Sequence, residues 1–262
     1  MRVILSTGQG RLHFVEMAAA LKAAGISPTV MTGWIPTKYP RCLVNALGPV
    51  VGRDRLYERL TARREICEAG SEAIPLAGPE MLLQLLYVLS RFRLTKRSTA
   101  SAIGWKAFGR ASIPHLTGDI FHVRSGAGQG GAIRMARKRG MKVVVDQSIA
   151  HPATIERYLW EVHKEYGQPL HLKPDDCFWK LVLRDCEEAD HVIVNSRFVK
   201  ESFVDEGYPE NKIKVLEWGV RKDFFNVKET YELCDSSRLN LLFTGAFNLR
   251  KGANLVVGAL KK

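Results

Sequence analysis

Asp119-Ile-Phe-His122-Val-Arg124-Ser-Gly126-Ala-Gly128-Gln-Gly130-Gly131-Ala-Ile-Arg-Met-Ala-Arg-Lys-Arg-Gly-Met-Lys-Val-Val-Val-Asp146 is the stretch on which the fold turns. It opens on an apolar, strand-like run over 119–124 and passes through a glycine-rich loop. A helical pattern follows over 130–139, then a β-branched run over 142–146. Two strands joined through a helix lie parallel in one sheet. The same alternation extends outward. Strand-like runs occur at 2–6, 29–32, 191–195, 212–216 and 239–244, with helical patterns at 12–24, 54–68, 80–92, 154–166, 174–188, 197–206 and 253–260. Several of the strand runs are continuously hydrophobic, as strands covered on both faces are. The chain therefore reads as α/β, a Rossmann-like parallel sheet flanked by helices.

The 262 residues are 46% hydrophobic and 25% charged, which is enough apolar material for a sizeable core. The five cysteines, Cys42, Cys67, Cys177, Cys186 and Cys234, form no CxxC pair and no metal-like spacing with histidine, so reduced thiols in the cytoplasm are expected. The start of the chain is too short for a signal-peptide core, and no apolar run reaches the roughly 20 residues that span a bilayer. The net charge of +12 favours anionic partners, and it is unevenly placed. No acid falls between Glu80 and Asp119, whereas Arg91, Arg93, Lys96, Arg97, Lys106 and Arg110 do, beside a leucine-rich run. A basic amphipathic segment over 80–110 fits either an anionic membrane surface or a core helix with a solvated basic face. No nucleic-acid module is visible, so nucleic acid is not expected as a partner.

Residues 221–238 are polar and without strong period, and read as an interdomain linker. The expected division is a domain over 1–220, the linker, and over 239–262 one strand and one helix of an incomplete second Rossmann-like domain. A lone βα unit cannot bury both faces of its strand.

Four features carry candidate chemistry. Ser6-Thr-Gly8-Gln-Gly10 follows the first strand, where glycines let backbone amides approach an anion near a helix start. Gly126-Ala-Gly128-Gln-Gly130-Gly131 satisfies G-x-G-x-x-G, with Asp146 twenty residues on, the layout of an NAD(P) site in an oxidoreductase. His122, His151 and His13 lie near strand ends or glycine turns and have the chemistry for acid–base work. Thr244-Gly245-Ala-Phe-Asn-Leu-Arg250-Lys251-Gly252 brings two cations to a helix start, a device for holding a diphosphate. No zinc motif, nucleophile elbow or Walker loop is present, so no metal site is expected.

Read in order, Glu188-Ala-Asp-His-Val-Ile-Val-Asn-Ser196-Arg-Phe-Val-Lys-Glu, Gly207-Tyr-Pro-Glu-Asn-Lys-Ile-Lys-Val-Leu216, Gly219-Val220 with Phe224-Phe225, and Arg250-Lys251-Gly252 resemble the retaining glycosyltransferase family 4, of GT-B fold. The first 220 residues look like its acceptor-side domain. The resemblance implies transfer of a sugar from a nucleotide-sugar donor to a glycan or lipid-linked acceptor, with retention and without a metal or further cofactor. It places Gly8, Gly10, Ser196, Gly245, Arg250 and Lys251 at the donor, and His122, Arg124 and His151 at the reacting centre. Two departures stand out. The chain reads His122-Val-Arg124 where the family often has His-x-His, and Trp218-Gly-Val-Arg221 where it usually has Asn-Gly-Val-Asp. The family's Glu-x7-Glu motif belongs to the second domain, beyond residue 262. The 262 residues alone are therefore expected to transfer sugar poorly or not at all, or to serve as a non-catalytic binding half. A peripheral position on the inner face of the membrane is expected through 80–110.

Overall fold

A computed structural model describes residues 1–8, 13–35, 72–219 and 241–261. Its centre is a seven-stranded sheet in which every adjacent pair is parallel. In chain order the strands are β1 (Arg2–Ser6), β2 (Ser27–Thr32), β3 (Glu72–Pro75), β4 (Ile120–Arg124), β5 (Lys142–Gln147), β6 (His191–Val194) and β7 (Ile213–Val215). In space they run β3-β2-β1-β4-β5-β6-β7. The chain builds outward from β1 to one edge, then returns to β4 and builds to the other. The reversal between β1 and β4 opens a crevice at their carboxyl ends, where open α/β sheets bind ligands. This is the Rossmann-like α/β fold that the alternating runs imply.

Alternation along β1 shows both faces at work. Val3 and Leu5 pack with Phe14, Val15 and Ala18 of α1 (Phe14–Ala23). Ile4 points to the opposite core with Trp105, Phe108, Leu116 and Phe121. That second face is covered by α2 (Ala77–Arg91) and α3 (Arg97–Ser112), which pack on each other, and by α4 (Ala132–Lys138), α5 (Pro152–Glu165), α6 (Cys177–Glu188) and α7 (Arg197–Val204) elsewhere along the sheet. The last helix is α8 (Ala253–Leu260).

Two elements go beyond the sequence reading. β3 is a short edge strand ending in Pro75, which an edge tolerates because its outer amides need no partner. Helix α3 hides because its buried positions are mostly small and its polar residues are scattered among them. Ala100, Ala102, Gly104, Trp105, Phe108 and Gly109 are all buried, leaving no amphipathic stripe to read. One expectation fails. Residues 241–244, the described part of the strand expected over 239–244, join no sheet, and Leu242 is 88% exposed. A strand needs a neighbour for its amides and a cover for its side chains, and neither is present among the described residues. The expected helix over 54–68 and the linker over 221–238 lie outside the described residues.

Candidate active site

The carboxyl ends of β1, β4 and β5 deliver polar groups to the crevice. β1 ends in Ser6 and Thr7. The Thr7 amide donates to Met31 O (2.9 Å) and its hydroxyl to Thr32 Oγ1 (2.9 Å), tying the end of β1 to that of β2. Gly8 follows with φ +64°, and a Cβ there would lie 2.5 Å from Trp105 Cζ3. Only glycine lets the chain turn this tightly over the indole. His13 then stands at the N-cap position of α1, its side chain making no cap bond.

His13 Nε2 meets Asp146 Oδ2, at the end of β5, at 2.8 Å. His122, on β4, sits between them in the sheet, its Nε2 3.8 Å from the same oxygen. Its ring meets Phe14 edge-on at 5.4 Å. Burial drives the His122 pKa down to about 4 against the pull of Asp146, so the imidazole is neutral. His122 Nε2 and His13 Nδ1 are buried with no hydrogen-bond partner among the described residues. Arg124, one turn of the pleat beyond His122, lays its guanidinium over Trp105 at 4.9 Å. Burial lowers its pKa, opposed by Asp146 and Tyr87, and arginine keeps its charge. The result is a carboxylate, a neutral histidine, a carboxylate-paired histidine and a cation at the switch point. Those are the parts for taking a proton from a hydroxyl and balancing negative charge nearby.

The other expected site residues are distributed as follows. His151 caps α5, its Nδ1 accepting the Ala153 amide (3.3 Å) while its ring packs on Phe203 and Tyr208. Burial lowers its pKa, opposed by Glu206. Ser196 caps α7 through the Val199 amide (3.3 Å). Gly245 takes φ +115° in an exposed turn. Arg250 and Lys251 are exposed on a 3-10 turn, Leu249–Lys251, whose Lys251 amide is held by Asn248 Oδ1. Arg250, Phe247 and Val257 face Leu159, Tyr166 and Leu172 across a cavity of about 860 Å³. That cavity is at the far end of α5, a helix about 21 Å long, from His151. Gly10 lies outside the described residues. Among those residues no group of His, Cys, Asp and Glu is arranged to hold a metal ion.

The dinucleotide reading is corrected here. The Gly126 and Gly128 amides donate to Asp185 Oδ2 of α6 at 2.6 and 2.8 Å, and Gln129 Nε2 to Oδ1 at 2.8 Å. These loop donors, which a pyrophosphate would need, already hold a fully buried carboxylate. Burial raises the Asp185 pKa to about 7 against these bonds. The glycines serve packing instead. A Cβ at Gly130 would fall 2.1 Å from Lys106 O, and one at Gly109 1.8 Å from Gln129 O. Asp146, the acid that reading assigns to the ribose, is engaged by His13.

The pairing of His13 with Asp146 is the feature of the candidate site that sequence reading missed. The two are 133 residues apart, and each was singled out for a different role with nothing in the sequence to join them. Strand order supplies the missing signal, because placing β4 and β5 beside β1 brings the loops after β1 and β5 to one crevice.

No family model and no curated protein matches this chain. Among solved structures it is similar to a glycosyltransferase from Rickettsia africae ESF-5, at 16% identity over 86% of this chain and 45% of that one, TM-score 0.41. It is similar to the glycotransferase of kitacinnamycin, at 13% identity over 89% and 55%, TM-score 0.46. It is also similar to UDP-GlcNAc 2-epimerase from Methanocaldococcus jannaschii, at 9% identity over 82% and 45%, TM-score 0.38. The chain spans about half the length of these structures. At such scores the functional reading rests on the chain's own residues.

Proposed function

We propose that this protein transfers a sugar from a nucleotide-sugar donor to a hydroxyl of a glycan or lipid-linked acceptor, as the acceptor-side half of a GT-B glycosyltransferase. The observation that carries this reading is the 2.8 Å contact of His13 with Asp146 at the switch point of the sheet. A histidine oriented by a carboxylate takes a proton from an attacking hydroxyl, and the carboxylate stabilises the imidazolium that forms. Gly8 and Arg124 face the same crevice through Trp105. In this reading Gly8, Gly10, Ser196, Gly245, Arg250 and Lys251 serve the donor, the two adjacent cations answering the charge that grows on the leaving diphosphate. His122 stays neutral and lines the crevice, and His151 holds the loop after β5.

The motif series that resembles family 4 favours retention of anomeric configuration. A second stereochemical reading is favoured by the His13–Asp146 pair, because a base-assisted hydroxyl attacking in line inverts the centre. The anomeric proton coupling of the product distinguishes the two. Nucleoside-diphosphate release from a panel of nucleotide sugars, with and without glycan acceptors, tests the activity itself. Consumption of none of them, with intact folding, would overturn it.

We infer that the protein works at the cytoplasmic face of an anionic membrane, through the 80–110 region. No helix among the described residues is long and apolar enough to cross a membrane. On α2, however, Met81, Leu85 and Val88, with Phe92 at its C-cap, form one exposed stripe at 4-3-4 spacing, and only Leu83 of that helix is buried. Arg91, Arg93, Lys96 and Arg97 are exposed around its end. An apolar stripe beside exposed cations is the pattern of an interfacial helix.

A further inference from the structure

Trp218 stands where the resembled family has an asparagine, and nothing in the proposed chemistry uses it. β7 makes its last sheet contact when the Leu216 amide donates to Val194 O (2.8 Å). Two residues later the Trp218 ring is 4.9 Å from the His13 imidazole, tilted by 38°. His13 follows β1, four strands away in the sheet, but it leans to Asp146 on β5. β5 is two strand spacings, about 10 Å, from β7, a gap that three extended residues cover. The chain thus turns back across the carboxyl edge of the sheet and sets an indole at the histidine paired with Asp146.

The imidazole is held between Phe14 (5.0 Å) and Trp218. Phe14 is buried, and its place is explained by the core. Trp218 is 50% exposed, so much of the indole is open to solvent at the mouth of the crevice. A large ring half in water contributes little to the core. At the rim of a site that must hold a hydroxyl beside His13, it is a platform. A pyranose presents a face of C–H bonds that lies flat on an indole, with hydroxyls at the ring edge. An acyl chain offers no hydroxyl there.

We propose that the exposed part of Trp218 is a stacking subsite for a pyranose ring of the acceptor, one ring edge turned toward His13. This rests on the sugar-transfer reading for its role, while the binding it describes is measurable without turnover.

The protein labelled with 5-fluorotryptophan gives five fluorine resonances, for Trp34, Trp105, Trp160, Trp179 and Trp218, the last identified by its loss in Trp218→Phe. Titration with maltose, cellobiose and lactose is expected to move the Trp218 resonance saturably with at least one of them, leaving Trp160 and Trp179 in place. In steady-state transfer, Trp218→Ala is expected to raise the acceptor KM about tenfold, the size of one stacked ring, with kcat within about threefold. No movement with any disaccharide overturns the subsite, as does a fall in kcat at unchanged KM, the signature of a ring that only covers His13. Disaccharide binding in a protein that consumes no nucleotide sugar supports the subsite and removes the sugar-transfer reading.

Discussion

Asp146 accepts from His13 at 2.8 Å, and the function proposed for His13 depends on that orientation. Asp146→Asn keeps the shape and removes the charge. Transfer is expected to fall by about 10²- to 10⁴-fold in kcat with little change in melting temperature, measured by product release and calorimetry. A rate within threefold of wild type would remove the pair from the mechanism. His122 makes a separate, pH-dependent prediction. Its folded pKa of about 4 lies below the ordinary 6.5, so between these values the unfolded chain binds the proton more tightly. Stability from this group is therefore full above pH 6.5 and is lost as pH falls through 4, by about 3 kcal/mol. Denaturant melts of wild type and His122→Phe across pH 4–7 isolate that share, and parallel profiles would contradict it. Asp185 braces three donors of the 126–131 loop, and Asp185→Asn turns an acceptor toward them into a donor. About 2–4 kcal/mol of stability should be lost, read from the denaturation midpoint. At this scale the residues were legible and their relations were not. His13, His122 and Asp146 each stand out by type and place, but only the sheet order makes neighbours of them. The G-x-G-x-x-G spacing of the 126–131 loop matches a ligand site because close packing on α3 and α6 demands glycine as strictly as a diphosphate does.

Helices α2 and α3 show what periodicity reveals and what it hides. α2 was readable from its long leucine-rich run at helical spacing, although one apolar stripe faces outward while Leu83 on another side is buried and the helix packs on α3. α3 was unreadable because its buried positions are mostly small residues that let backbones approach, with no clear apolar stripe. Gly109→Ala should cost about 3 kcal/mol, since its methyl would meet the Gln129 carbonyl with no room to move. At the turn between the two helices Arg93 adopts φ +60°, with its amide on Ser90 O and the Leu94 amide on Leu89 O. Glycine is the usual residue at such a helix end, and an arginine there costs about 1 kcal/mol. Arg93→Gly is expected to raise the melting temperature while weakening co-sedimentation with phosphatidylglycerol vesicles. Leu85→Asp with Phe92→Asp should abolish that binding, and neutral phosphatidylcholine vesicles should bind weakly from the start. Equal binding to neutral and anionic vesicles would contradict the charge-led surface.

Across the whole molecule, the parallel sheet and six of its strands were legible from β-branched runs alternating with helical patterns. The order β3-β2-β1-β4-β5-β6-β7 was not, since periodicity says what a segment is and not which strand lies beside it. That order creates the crevice, and the crevice gathers Gly8 and His13 from the connection after β1, His122 and Arg124 from β4, and Asp146 from β5. Arg250 and Lys251 stand apart from this cluster, so the donor chemistry assigned to them depends on how the chain beyond Gly219 is placed during the reaction. The most direct test is release of nucleoside diphosphate from nucleotide sugars in the presence of glycan acceptors. It is made on the product of the whole reading frame that encodes these residues, with His13→Ala beside wild type. Release by wild type is expected with at least one donor, with a fall of about 10²- to 10⁴-fold in the variant at unchanged folding. Equal release by both proteins would contradict the site, and release from no donor by a folded wild type would contradict the function.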